Sequence, residues 1–329
     1  DPLSPCIAAL AVYLAGSLLG YLRTEGERQQ IRSQFRQYVS PALVDRLSRH
    51  PEALRLGGET RELTILFSDI RGFTDIAEHL DPEALTRLIN GFLTPMTRVI
   101  QDKGGTIDKY IGDCIMAFWN APLSDEDHAR HALEAALAMR ASLAELNENW
   151  VADAAKTGGS FAPLAIGLGI NSGRCSVGNF GSEQRFDYSV LGDSVNLASR
   201  LESLSRLYGT DIVIGTATAA SAPDFALVEI DRVRVKGRAQ PEAIHALLGD
   251  AAFAKTPGFT TARAKFVAML DAYRNRNWDA ARAAIQAGRQ SAPALAPVYD
   301  LYEDRIAAYD GAPPPAGWDG VFEARTKTG

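Results

Sequence analysis

The chain has 329 residues, 46% of them hydrophobic, and a formal net charge of −6. That length and apolar content supply a large folded domain with smaller appendages and exclude a disordered chain. The acidic balance, with no basic stripe, excludes nucleic acid as a main partner; Cys6, Cys114 and Cys175 lack CxxC spacing, which argues against a disulfide framework or zinc site and fits a reducing compartment.

The first segment, Cys6 to Leu22, is uncharged. It sits at the short end of what spans a bilayer, roughly 17–25 residues. Arg23, Arg28, Arg32 and Arg36 follow and outnumber Glu25 and Glu27, a bias that places the C-terminal side in the cytosol. No basic start precedes the run, as a signal peptide needs, while a buried core helix remains the alternative. Residues 1–24 are therefore expected to form a transmembrane helix in the cell inner membrane, with the rest in the cytoplasm. Ile31, Phe35, Val39, Leu43 and Leu47 then recur every four residues, interrupted by Pro41. Residues 25–58 read as an amphipathic helical linker, either a dimeric signal-transmitting stalk or a cap on the next domain.

Residues 59–250 alternate strand and helix patterns. Glu62–Phe67 reads as a buried strand, and Leu85, Leu88, Ile89, Phe92, Met96 and Ile100 mark a helix over 82–101. Two strands, 106–111 and 114–119, are joined by Gly112-Asp113, a hairpin signal. Further expectations are a helix over 126–149, a loop over 156–163, a strand over 164–170, a helix over 194–208 and a strand over 226–235. A hairpin inside such an alternation predicts an α+β, ferredoxin-like domain rather than a doubly wound sheet. Over 251–329, three Ala-rich helices are expected at 260–274, 279–290 and 297–309. Residues 272–286 resemble a single tetratricopeptide-type hairpin, and Trp318–Glu323 (WDGVFE) reads as a docking tail.

Three segments carry chemistry. Phe67–Thr74 (FSDIRGFT) puts Asp69 at the end of a buried strand, with Gly72 for a turn and Thr74 to start a helix. Such an acid suits metal-bound phosphate, although strand-end Asp residues also simply cap helices. Asp113 stands at the hairpin tip, where Asp beside Gly is also ordinary turn chemistry. Two carboxylates on neighbouring strands can hold two Mg²⁺ ions roughly 3.5–4 Å apart. In RFDYSVLGDSVNLASRLE, Asn196 and Arg200 share one helix face. Arg offers a forked cation to a phosphoryl group and Asn can orient a ribose oxygen; the plainer reading is a surface Asn and a salt-bridged Arg. His128 and His131 read as a solvated helix face rather than zinc ligands. Gly167, Gly169 and Gly173 do not fit a dinucleotide fingerprint, and Asp187 and Asp193 read as turn and helix-start residues.

FSDIRGFT, DKYIGD and YSVLGDSVNLASRLE, in this order, resemble the motifs of the class III nucleotidyl cyclases over about residues 59–248. The resemblance implies an adenylate cyclase that turns ATP into 3′,5′-cyclic AMP and pyrophosphate. It implies that Asp69 and Asp113, helped by the Ile70 backbone, hold two Mg²⁺ or Mn²⁺ ions per active site. Lys109 would meet adenine N1, Ser189 the exocyclic amine, Asn196 the ribose and Arg200 the transferring phosphoryl group. Lys236 would meet the terminal phosphates, and Phe73 and Thr74 would also contact substrate. Ser189 stands where the family more commonly has Asp or Thr, and its small hydroxyl is expected to rotate more freely. Guanine carries a donor at N1, so Lys109 disfavours a guanylate cyclase. The resemblance further implies a homodimer with shared active sites, since one segment completes the site from the partner subunit. A catalytically silent nucleotide-binding module is the rival reading.

Overall fold

The computed structural model describes residues 13, 14, 16, 17, 55–156, 158–234, 240–315 and 317–323. Apart from Tyr13, Leu14, Gly16, Ser17 and residues 55–58, the expected membrane span and linker lie outside the described residues, as does Lys236. Among the described residues, no helix is long and apolar enough to cross a membrane.

Strand β1 (Gly57–Ile70) sits between β3 (Cys114–Trp119) and β4 (Ile166–Gly181), antiparallel to both. Its side chains alternate between two cores: Leu63, Ile65 and Phe67 enter one, Leu66 and Ile70 the other. This period of two on a strand covered on both faces explains its nearly unbroken apolar run. Helix α1 (Phe73–His79) follows a turn at Gly72, whose φ of 70° is left-handed and favours glycine. Helix α2 (Pro82–Asp102) is capped by Asp81, whose side chain accepts from the N–H groups of Glu83 and Ala84. It buries Phe92, Met96 and Ile100 on the face that the spacing predicts.

Strands β2 (Thr106–Ile111) and β3 form the expected hairpin, and α3 (His128–Lys156) packs beside α2. The order β2-β3-β1-β4, with antiparallel neighbours throughout, is the ferredoxin-like βαββαβ arrangement. β4 continues eleven residues beyond the expected end at Ile170, to Gly181. Its Gly- and Ser-rich sequence reads locally as a loop. Tertiary packing overrides that: a Cβ on Gly169 would collide with the backbone of Glu202 and Ala198 in α4 (Asp193–Tyr208), so glycine lets this helix lie on the strand.

Strand β5 (Phe186–Leu191) pairs with β4 and contains Asp187, which faces Phe180 in the ladder and is not the turn residue expected. The sheet continues through β6 (Ile212–Gly215), β8 (Glu242–Gly249) and β7 (Ala226–Arg234), with α5 (Thr216–Ser221) after β6. β5, β6 and β8 were not expected from the sequence, because such short strands lack a clear period.

The C-terminal segment adds α6 (Ala251–Ala254), α7 (Pro257–Arg274), α8 (Trp278–Arg289) and α9 (Ala296–Gly311), close to the expected limits of the three long helices. Their apolar faces share one core with Leu197, Leu201, Leu204 and Tyr208 of α4 and with β7. Arg305 of α9 pairs with the buried Asp231 of β7 at 2.6 Å, and Tyr208 donates to the same carboxylate at 2.6 Å. The WDGVFE tail docks on its own chain. Trp318 packs among Tyr273, Trp278 and Tyr309, and β9 (Phe322–Glu323) adds a parallel edge to β7.

Candidate active site

Asp69 is the penultimate residue of β1, and Asp113 follows Gly112 at the β2–β3 turn. Gly112 adopts a φ of 66°, as the first central residue of a tight hairpin turn requires. The turn lies across the end of β1, and the Ile70 N–H donates to Asp113 Oδ2 at 3.0 Å. The Asp113 carboxyl is near enough to act directly on that of Asp69. Burial, together with the hydrogen bond and charge of Asp113 and the charge of Glu202, pushes the Asp69 carboxyl up to about 7, against the opposing charge of Arg206. Burial and the same carboxylates push the Cys114 thiol up to about 12, leaving it an inert thiol beside the pair.

Two facing oxygen donors, one of which resists ionising without added positive charge, fit a hard divalent cation. Among the described residues no group of three or more His, Cys, Asp or Glu side chains could hold a metal ion. Phosphate oxygens and water would therefore complete the coordination, as suits Mg²⁺.

Asn196 is exposed and Arg200 half-buried, both on α4. Glu202 and Arg206, on the same helix, are the residues whose charges reach Asp69. At 3.6 residues per turn the Asn196–Arg200 stripe and the Glu202–Arg206 stripe are turned about 120° from each other. The charges of Glu202 and Arg206 thus act on the helix's own carboxylate pair, while Asn196 and Arg200 lie on a stripe about 120° round the helix from them.

A second cluster forms around Asp108. The β2–β3 register shifts between Ile107 and Lys109, so Asp108 is the extra residue of a β-bulge. Bulges re-aim side chains, and here the Asp108 side chain is 0% exposed. The Ser189 hydroxyl donates to Asp108 Oδ2 at 2.7 Å, and Lys109 Nζ lies 3.3 Å from Oδ1. Burial raises the Asp108 carboxyl above its ordinary value, while Ser189, Lys109 and the Val190 N–H oppose the shift. Ser189 is 7% exposed with its proton committed, so it does not rotate freely as expected for a small hydroxyl.

The structure thus joins Asp69, Ile70 and Asp113 in one group and Lys109 and Ser189 in another. Phe73 and Thr74 stand at the start of α1, which has no side-chain cap. Sequence reasoning missed Asp108, Glu202 and Arg206. Glu202 and Arg206 carry an i,i+4 signal on a helix already singled out, whereas nothing local marks Asp108 as bulged. His128 is also corrected: it is half-buried, and its Nδ1 lies 2.7 Å from Thr64 Oγ1 instead of on a solvated face.

Comparison with known proteins identifies the family. The family described as "Adenylate and Guanylate cyclase catalytic domain" matches residues 58–249. An adenylate cyclase of Anabaena cylindrica is 40% identical over 190 residues, covering 56% of this chain and 36% of that protein. Adenylate cyclase 1 of Rhizobium meliloti (strain 1021) is 32% identical over 219 residues, covering 65% and 32%. The chain thus spans about a third of the length of these curated relatives. Among solved structures, the adenylyl cyclase CyaB from P. aeruginosa is 38% identical with a TM-score of 0.53, covering 59% of this chain and 97% of that one. The guanylyl cyclase Cya2 has the same identity and TM-score, covering 59% and 95%. Overall likeness therefore does not choose between adenine and guanine. A family match over more than half of the sequence establishes that the chain belongs to the adenylate and guanylate cyclase catalytic-domain family.

Proposed function

We propose that the chain is an adenylate cyclase that converts ATP into 3′,5′-cyclic AMP and pyrophosphate as a homodimer. The observation that carries this reading is the Lys109–Asp108–Ser189 cluster, which offers an ammonium donor beside a hydroxyl acceptor. Adenine presents the complement, an acceptor at N1 and a donor amine, whereas guanine presents the reverse at both positions.

Asp69 and Asp113, with the Ile70 backbone, would hold two Mg²⁺ or Mn²⁺ ions per site. Bound cations supply Lewis acidity to the attacking 3′-oxygen and neutralise the phosphates. Phe73 and Thr74 would meet the substrate near Asp69, and Lys236 its terminal phosphates. Arg200 would stabilise the phosphoryl group as charge develops, and Asn196 would orient the ribose. The 3′-oxygen forms its bond to the α-phosphorus as the bond to the pyrophosphate oxygen breaks, and the hydroxyl proton passes to water. Asn196 and Arg200 lie about 120° round α4 from the stripe that acts on their own carboxylate pair, and they would serve the pair of a second copy. A two-fold dimer then contains two equivalent shared sites.

The test is cyclic AMP formation from ATP by the purified dimer with Mn²⁺ or Mg²⁺. Product from the intact chain and none from Asp69→Ala is expected; no product from the intact dimer, or full activity in the variant, overturns the assignment.

We also infer that residues 1–24 anchor the chain in the cell inner membrane, with 59–250 in the cytoplasm and 25–58 transmitting signals. The support is the uncharged run Cys6–Leu22 and the arginines after it. The chain should stay with membranes through an alkaline wash; release into the supernatant removes the proposal.

A further inference from the structure

The Ser189 hydroxyl has one proton and two lone pairs, so alone it can either donate to a base or accept from one. In this chain the proton is already used. Ser189 Oγ donates at 2.7 Å to Asp108 Oδ2, and the receiving carboxylate is sealed from solvent. The bulge between Ile107 and Lys109 places it there, since a regular ladder would turn neighbouring residues 108 and 109 to opposite faces. Lys109 Nζ, 3.3 Å from Oδ1, is drawn to the same carboxylate. Oδ1 is buried and without an aligned hydrogen bond among the described residues, so this contact is an ion pair.

We propose that Asp108 is a specificity-determining positioning residue: by taking the Ser189 proton it leaves that hydroxyl only lone pairs to offer the base. A hydroxyl restricted in this way receives the adenine amine. It has no proton for guanine O6, and pressing two acceptors together in a dry pocket leaves both unpaired. The inference rests on the reading of Lys109 and Ser189 as the base contacts. It supplies what an isolated serine lacks, a fixed direction of hydrogen bonding. Asp108 itself touches no substrate; it acts through Ser189.

The test compares kcat/KM for ATP and GTP in the full-length dimer and in Asp108→Ala, Asp108→Asn, Ser189→Ala and the double variant Asp108→Ala/Ser189→Ala. Asp108→Ala frees the Ser189 proton, and the ATP-to-GTP ratio should fall about tenfold, the weight of one buried hydrogen bond. Asp108→Asn keeps an acceptor of the same shape and should retain most of the ratio, which also guards against a folding defect in the alanine variant. In the Ser189→Ala background, Asp108→Ala should leave the ratio unchanged. An unaltered ratio in dimeric Asp108→Ala overturns the inference while leaving the cyclase reading intact. So does an equal fall with and without the Ser189 hydroxyl. Absence of cyclic AMP from the unsubstituted dimer overturns both.

Discussion

The Ile70 N–H donates to Asp113 Oδ2 at 3.0 Å, tying the hairpin acid to the residue beside Asp69. The carboxylate pair is therefore held by the fold, before any cation arrives, at the cost of two acids facing each other. Asp69→Asn removes one charge from that arrangement. The metal-free variant should melt higher than the unsubstituted chain by a few degrees, an effect of about 1 kcal/mol. It should also lose the rise in Tm that Mn²⁺ gives the unsubstituted chain and make no cyclic AMP. Thermal denaturation with and without Mn²⁺ checks this; an undiminished Mn²⁺ shift would remove Asp69 from the metal site.

Complementation reads the orientation of α4. Asp69→Ala and Arg200→Ala should each be inactive alone. Mixed and reassociated at equal ratio, they should recover roughly a quarter of the activity, because half of the dimers are mixed and each has one intact site. Dimers that mix yet recover nothing would put Arg200 and Asp69 in the same subunit's site.

Lys109→Glu replaces an ammonium with an acceptor and sets a second carboxylate next to the buried Asp108. ATP use should fall by about 100-fold in kcat/KM, or roughly 2.7 kcal/mol, in steady-state assays. Unchanged ATP turnover would take Lys109 out of base recognition.

Arg305 is the ion partner of Asp231, with side chains 11% and 1% exposed, and the Tyr208 hydroxyl bonds the same carboxylate. Arg305→Ala leaves that carboxylate buried with its charge uncompensated. Stability should drop by about 3–5 kcal/mol in urea denaturation. Tyr208 ends the helix that carries Asn196 and Arg200, so activity should fall at temperatures where the global fold survives. A loss below 1 kcal/mol would show that this pair is not a buried clamp.

His128 gives a pH dependence with a definite sign. Burial lowers its pKa from 6.5, despite the opposing charges of Asp125, Glu62 and Asp127. The unfolded chain then takes up the proton first as pH falls. This group's contribution to stability is intact above the unfolded pKa, declines as pH drops below it, and levels off below the folded pKa. His128→Gln retains a polar partner for Thr64 without titrating. Between about pH 7.5 and 5 the unsubstituted chain should lose more Tm than this variant. Equal losses would mean that His128 is not held neutral.

Much of the site is legible along the chain because its signals are short in range. Gly112-Asp113 predicts its hairpin from turn chemistry alone. Helix α2 follows from apolar spacing and an Asp81-Pro82 start. The limits of the α7–α9 helices are nearly as expected, since Ala-rich helices are governed by local propensity and capping. β4 fails the same local test: its glycines resemble a loop until α4 is seen lying on them.

The sequence by itself determined the family and the order of its motifs, and marked Asp69, Asp113, Lys109, Ser189, Asn196 and Arg200 as candidates. Those are matters of residue type and spacing. Tertiary structure alone decided that Asp108 is turned inward by a bulge, that Ser189 gives it its proton, and that the charges of Glu202 and Arg206 reach Asp69. Each depends on partners far apart in the chain: Asp108 and Ser189 are 81 residues from each other, and no local pattern specifies which way a hydroxyl proton points. The direction of that one hydrogen bond, set by burial and strand register, is what the proposed role of a small serine in base recognition rests on.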